Sequence, residues 1–177
     1  MELLNQFKRK TEAYIMLAFI NNHVSSMTKN FSKSDLKWRK KNANSTMIGL
    51  SCSMFLVPTL VLKRASFMQI LLEVLFYSQT ALSLASDWYY SGVDHWTHGA
   101  DRWHATLFFS LQCIFTAKKI HILWPLLSAP AVYCWYLGKQ AVKERKWDDY
   151  VLCHTMWHCV GAGIICPLSV WLSFYTP

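Results

Sequence analysis

Lys146-Trp147-Asp148-Asp149-Tyr150-Val151-Leu152-Cys153-His154-Thr155-Met156-Trp157-His158 joins a charged loop to an apolar run over residues 151–174. A helix of that length, rising about 1.5 Å per residue, reaches across a hydrocarbon core roughly 30 Å thick, so the chain is expected to be an all-α membrane protein. Within the run, His154 and His158 stand four residues apart. Positions i and i+4 share one face of a helix, so the two imidazoles can address a single metal ion. A zinc centre needs three or four ligands, and the rest of the chain must supply the others.

Composition agrees with a membrane setting. The 177 residues are 53% hydrophobic, 15% aromatic and 16% charged, with nine Trp, eight Tyr and ten Phe. Amphipathic rings in that number fit helix ends at headgroup level. The net charge of +8 does not mark a nucleic-acid protein, because half of the 18 Lys and Arg precede residue 42 and the others flank apolar runs. Such a distribution reads as topology and attraction to anionic lipid. The six cysteines fall inside apolar segments with no disulfide spacing, and they read as small packing residues. No cleavable signal peptide is evident, since Glu2, Lys8, Arg9 and Lys10 occupy the start.

Working back from the opening stretch, apolar runs at 47–62, 67–86, 103–116 and 120–137 precede the last one, which predicts a polytopic transmembrane bundle of about five spans. Residues 1–45 form a basic N-terminal segment with an interfacial amphipathic helix over 13–24, and residues 46–177 form the helical domain. Pro58 is expected to kink the first span, and Pro125 and Pro130 to interrupt the fourth. The second span carries Gln69, Glu73, Ser78, Gln79, Ser83 and Ser86, which lipid would not tolerate, so these residues should face the bundle interior. Lys and Arg counts of nine, two, one, two and four in successive loops favour a cytoplasmic N-terminus.

The missing ligands are expected between residues 86 and 104, where His, Asp and Ser cluster at a membrane boundary. His95 and His98, and Asp101 and His104, are each three apart and can share a helix face. Asp148 and Asp149 read as a solvated carboxylate pair at a helix start. Glu73 needs a partner such as His104 or a lysine.

These residues carry a resemblance. The Trp-Asp-Asp-Tyr entry followed by His154, Trp157, His158 and Cys159 resembles the start of the last transmembrane helix in the myomaker and post-GPI-attachment factor 6 like family. Lys63-Arg64 with Phe67-Met68-Gln69 parallels that family's second helix. The family lies within a superfamily that includes alkaline ceramidases, adiponectin and progestin receptors and Per1-like proteins. The resemblance implies seven spans, a cytosolic C-terminus and a zinc site built from a Ser-x-x-x-His, an Asp and the last-helix pair. Placed on this chain, it implies His154 and His158 as metal ligands with His95 or His98 as the third, Asp101 as the water-orienting or deprotonating acid, and Ser86 as a hydrogen-bonding member. Laid on Ser86, the histidine position of Ser-x-x-x-His falls on Tyr90, and that is a departure from the pattern.

The function expected from this reading is zinc-dependent hydrolysis of a lipid amide or ester, with membrane lipids as partners and no nucleic acid. A different class is open on the same residues: a non-catalytic membrane-remodelling or fusion protein of myomaker type, in which the polar cluster is structural. A receptor-like or assembly subunit is a third reading. The protein is expected to be integral to a membrane, either plasma or internal.

Overall fold

In the computed structural model, residues 17, 18, 21, 24, 25, 27, 32–42 and 45–175 are described, and among them all regular structure is helical. The interfacial helix expected over 13–24 falls mostly outside this set. Helix α1, Lys33–Lys41, begins at Ser32, whose hydroxyl accepts from the Asp35 N–H. Asp35 in its first turn and Arg39, Lys40 and Lys41 in its last suit the helix dipole at both ends. Helix α2, Thr46–Cys52, passes into a 3-10 segment, Ser53–Val61. Pro58 lies within that segment, where it has no N–H to give and would clash with an α-type carbonyl.

Helix α3, Phe67–Ser83, is started by Ser66, which accepts from the Gln69 N–H while Gln69 Oε1 accepts from the Ala65 N–H. It continues as a π-helical segment, Leu84–Tyr89. A short loop containing Gly92 at φ +80°, a backbone conformation open to glycine, leads to α4, Thr97–Lys119. A 3-10 turn at Trp124–Ser128 opens α5, Ala129–Glu144, and Arg145 closes α5 with a left-handed φ of 59°. Both Pro125 and Pro130 sit at helix starts, where a missing N–H costs nothing. The chain then runs as α6, Trp147–His158, a second π-helical segment, Cys159–Ile165, and α7, Cys166–Tyr175.

Two helices are long and apolar enough to cross a membrane, Phe67–Tyr89 and Trp147–Tyr175. A third span exists if α1 and Thr46–Val61, bent by 105°, count as one. The runs expected at 103–116 and 120–137 lie in α4 and in the broken 3-10/α5 segment, which are not among these helices. Of the polar load of the second run, Gln69, Glu73, Gln79, Ser83 and Ser86 are buried, and Ser78 is half-buried with its hydroxyl 2.8 Å from His104 Nε2. Glu73 finds its partner in Arg64, bound through both carboxylate oxygens, rather than in His104 or a lysine. The side chains left outside include Leu60, Phe67, Leu126 and Ile164, apolar surface that suits lipid contact.

Two apolar clusters frame the interior. Ile48, Cys52, Ala141 and Tyr150 pack together with Trp38 and Trp147 at one end. Leu72, Phe76, Phe108 and Val170 form the other, where the Phe76 and Phe108 rings meet edge to face at 4.7 Å.

Candidate metal centre

Helix α6 places His154 and His158 one turn apart on an inward face, with ring centroids 4.5 Å from each other. The third group comes from the π segment that ends α3. A π turn carries an extra residue relative to an α turn and often marks a functional position. Here the wider turn leaves Ser83 and Ser86 buried and brings Asp87 against α6. Asp87, His154 and His158 each offer one donor atom, and all three atoms lie within 4.8 Å of one another.

Ser51 and Phe55 fix the His158 ring. Ser51 donates its single hydroxyl proton to the Ile48 carbonyl at 2.8 Å. The same oxygen lies 3.1 Å from His158 Nδ1, and with its own proton on the Ile48 carbonyl it is an acceptor for the Nδ1–H tautomer of His158. The lone pair is thereby left on Nε2, the arrangement that a metal-binding imidazole requires. Phe55 packs edge-on against the same ring at 5.1 Å and, with the 3% exposure of His158, keeps water from it.

His154 tests whether the group suits an ion. Its Nε2 stands 3.2 Å from Asp87 Oδ2, with the side chains only 16% and 11% exposed. The approach lacks hydrogen-bond alignment, and Nε2 remains a buried nitrogen with no hydrogen-bond partner. The Asp87 carboxylate answers a protonated His154 ring as an ion pair, and a cation held between nitrogen and carboxylate would answer a neutral one. Bonds of about 2.0–2.1 Å to a tetrahedral zinc separate donors by about 3.3 Å, which the His154–Asp87 pair already matches. Two imidazoles and one carboxylate form a donor set of the kind found in catalytic zinc sites, which keep a further position open.

The other expected site residues are placed as follows. His95 stacks on Tyr90 with centroids 3.7 Å apart, and its Nδ1 accepts from the Thr97 N–H. It is outside the three-donor group. His98 is outside it as well and has both nitrogens engaged: Nε2–H donates to the Val93 carbonyl, and Nδ1 meets Ser86 Oγ, each at 2.9 Å. Burial lowers the pKa of His98, which favours the neutral ring with Ser86 donating to Nδ1. Asp87 Oδ1 lies 3.4 Å from the same hydroxyl, a longer reach for one proton.

Asp101 sits behind Ser83. Its Oδ1 accepts from Ser83 Oγ at 2.7 Å and from Gln79 Nε2 at 2.8 Å, and Gln79 Oε1 in turn accepts from His104 Nδ1 at 2.7 Å. Burial, reinforced by the Asp87 carboxylate, pushes Asp101 up to about 8. Asp148 and Asp149 occupy the exposed first turn of α6, the helix-start position expected of them.

Comparisons with known proteins add no identification. No family model, curated protein or solved structure matches this chain. The assignment of the site rests on its own geometry. Sequence reading passed over Asp87 as the third donor, and only with the structure in view does a spacing relation to it stand out. If the Ser-x-x-x-His spacing starts at Ser83, one turn earlier, its last position is Asp87, a carboxylate at the end of an apolar run.

Proposed function

We propose that the protein is a multi-pass membrane protein of about five spans whose Asp87, His154 and His158 hold a zinc ion, and that it hydrolyses a lipid amide or ester. The observation that carries this reading is the gathering of the Asp87, His154 and His158 donor atoms within 4.8 Å of one another, with His154 Nε2 3.2 Å from Asp87 Oδ2. Zinc held there would supply Lewis acidity, polarising a carbonyl and acidifying water to a pKa near 7. The chain's own part is to orient and desolvate. Ser51 holds the His158 ring, Phe55 shields it, and Ser86 and His98 brace the backbone segment that presents Asp87.

An apolar cleft between α4, the 3-10 turn before α5 and the last helix suits a lipid chain. It is lined by Phe108, Trp124, Trp157 and Ile165, and it reaches Phe55 and Gln79. Phe55 touches both the cleft and the His158 ring, and it stands between the cleft and the donors. The resemblance to the myomaker and ceramidase-like superfamily points the same way.

The non-catalytic reading draws on Asp101. Its carboxylate is spent on Ser83 and Gln79, which suits a structural acid as well as a water-orienting one. Metal analysis of purified protein separates the readings. About one zinc per chain, lost in His154→Ala and His158→Ala, is the expected result. Iron in its place would redirect the chemistry, since two histidines and a carboxylate also serve non-haem iron. Folded protein free of metal would overturn the metal centre and the hydrolase together. Where zinc is found, turnover of a lipid amide or ester that Asp87→Ala abolishes marks an enzyme, and its absence against a panel of both classes marks a structural site.

A further inference from the structure

Helix α1 is strongly charged, yet its one arginine is among the buried residues: Arg39 is 5% exposed. Its guanidinium lies over the Tyr150 ring, 5.0 Å from the centroid, and Tyr150 lies 5.3 Å from the His154 ring on the next turn of α6. Trp38 meets Trp147 and Tyr150 edge-on at 5.3 and 5.9 Å. On the other side of the helix axis, the backbone of Lys40 runs so close to Gly92 that any side chain there would collide with it. Asp35 and Ser34 both bind Arg145, at 2.6 and 3.2 Å, and the Arg145 guanidinium also covers Trp38. Lys33, Lys37, Lys40 and Lys41 stay exposed on the outer face.

The contacts come from three separate places, namely the loop after the π segment, the α5–α6 turn and the first turns of α6. They converge on a short, highly polar helix. Such a helix buries little apolar surface of its own, so a few polar and aromatic contacts decide its position. An exposed ion pair contributes little, which makes Asp35–Arg145 suited to a latch that opens. We propose that α1 is a strap closing the metal centre at its polar end, with Arg39 positioning Tyr150 against His154 and with Asp35–Arg145 as the latch. Metal and water then reach Asp87, His154 and His158 from that side only when α1 lifts. The role of the strap at the metal rests on the proposed centre, but its geometry does not.

Cys52 reports on the strap without any metal. It is 0% exposed in the cluster with Tyr150 against which Trp38 packs. Cys166 lies in α7, in contact with the other cluster, and serves as the internal reference. Full-length protein in detergent is treated with a water-soluble maleimide, and each cysteine is read by peptide mass analysis. Asp35→Arg, which sets like charges against Arg145, is expected to label at Cys52 several-fold faster than wild type with no change at Cys166. The charge swap Asp35→Arg with Arg145→Glu is expected to restore protection. Equal Cys52 labelling in wild type and Asp35→Arg, or labelling of Cys52 and Cys166 together that the swap does not reverse, would overturn the strap. In parallel, the rate at which a chelator extracts zinc is expected to rise in Asp35→Arg and to return in the swap. If no variant holds zinc, the metal centre fails while the Cys52 result still judges the strap.

Discussion

At the residue scale, the site depends on where single protons and single donors lie. Ser51 holds the Nδ1 proton of His158. Removing it frees the ring to rotate and change tautomer, so Ser51→Ala is expected to weaken zinc binding about 10–100-fold in competition with a chelator, without loss of fold. Asp87 is the donor that spacing did not announce. Asp87→Ala should abolish metal binding, whereas Asp87→His should retain it, because three histidines are also a zinc donor set. Asp101 gives a pH test on metal-free protein. Its carboxyl is raised from an ordinary 3.8 to about 8, so the native state keeps a proton that the unfolded chain gives up. The stability it contributes is fully present below the ordinary value and is lost as pH rises through the raised one. Tm is therefore expected to fall over that window, and Asp101→Asn should flatten the fall. The histidine pair was legible because a 3.6-residue period puts i and i+4 on one face. Asp87 was not, because a π turn changes the period locally and no residue type announces one.

At the element scale, the inward polar face of Phe67–Tyr89 follows from the cost of presenting Gln, Glu and Ser to lipid, and it was readable from their types alone. Their partners were not. Glu73 pairs with Arg64, which stands outside the helix in the preceding loop at a left-handed φ of 54°. Arg64→Ala leaves a carboxylate at an apolar boundary without its counter-charge. A lower Tm is expected, with partial recovery when Glu73→Gln is added, since that change removes the orphaned charge. Pro58 was readable as a break in the first apolar run. That the break takes the form of a 3-10 segment over Ser53–Val61, which places Phe55 beside His158, depends on the neighbours it packs against.

At the scale of the whole molecule, orientation is set by charge outside the spans. The basic leader favours a cytoplasmic N-terminus, and the resemblance implies a cytosolic C-terminus. A cysteine introduced at Lys146, in the exposed turn before α6, should react with an impermeant reagent from one side of sealed vesicles only. Labelling from the cytosolic side would place that turn on the side of the leader, and labelling from the far side would leave one span between Lys146 and a cytosolic C-terminus. The sequence by itself determined the chemistry available: apolar runs that must be helical in lipid, polar residues that must face inward, and two histidines on one turn. Those properties follow from local period and transfer energy, which act within a single segment. Tertiary structure alone decided which groups meet. Asp87 comes to His154 across a separation of 67, Ser51 to His158 across one of 107, and Arg39 to Tyr150 from another helix. Such pairings depend on how helices pack and where their turns widen, and no local pattern along the chain encodes a distance between segments that far apart.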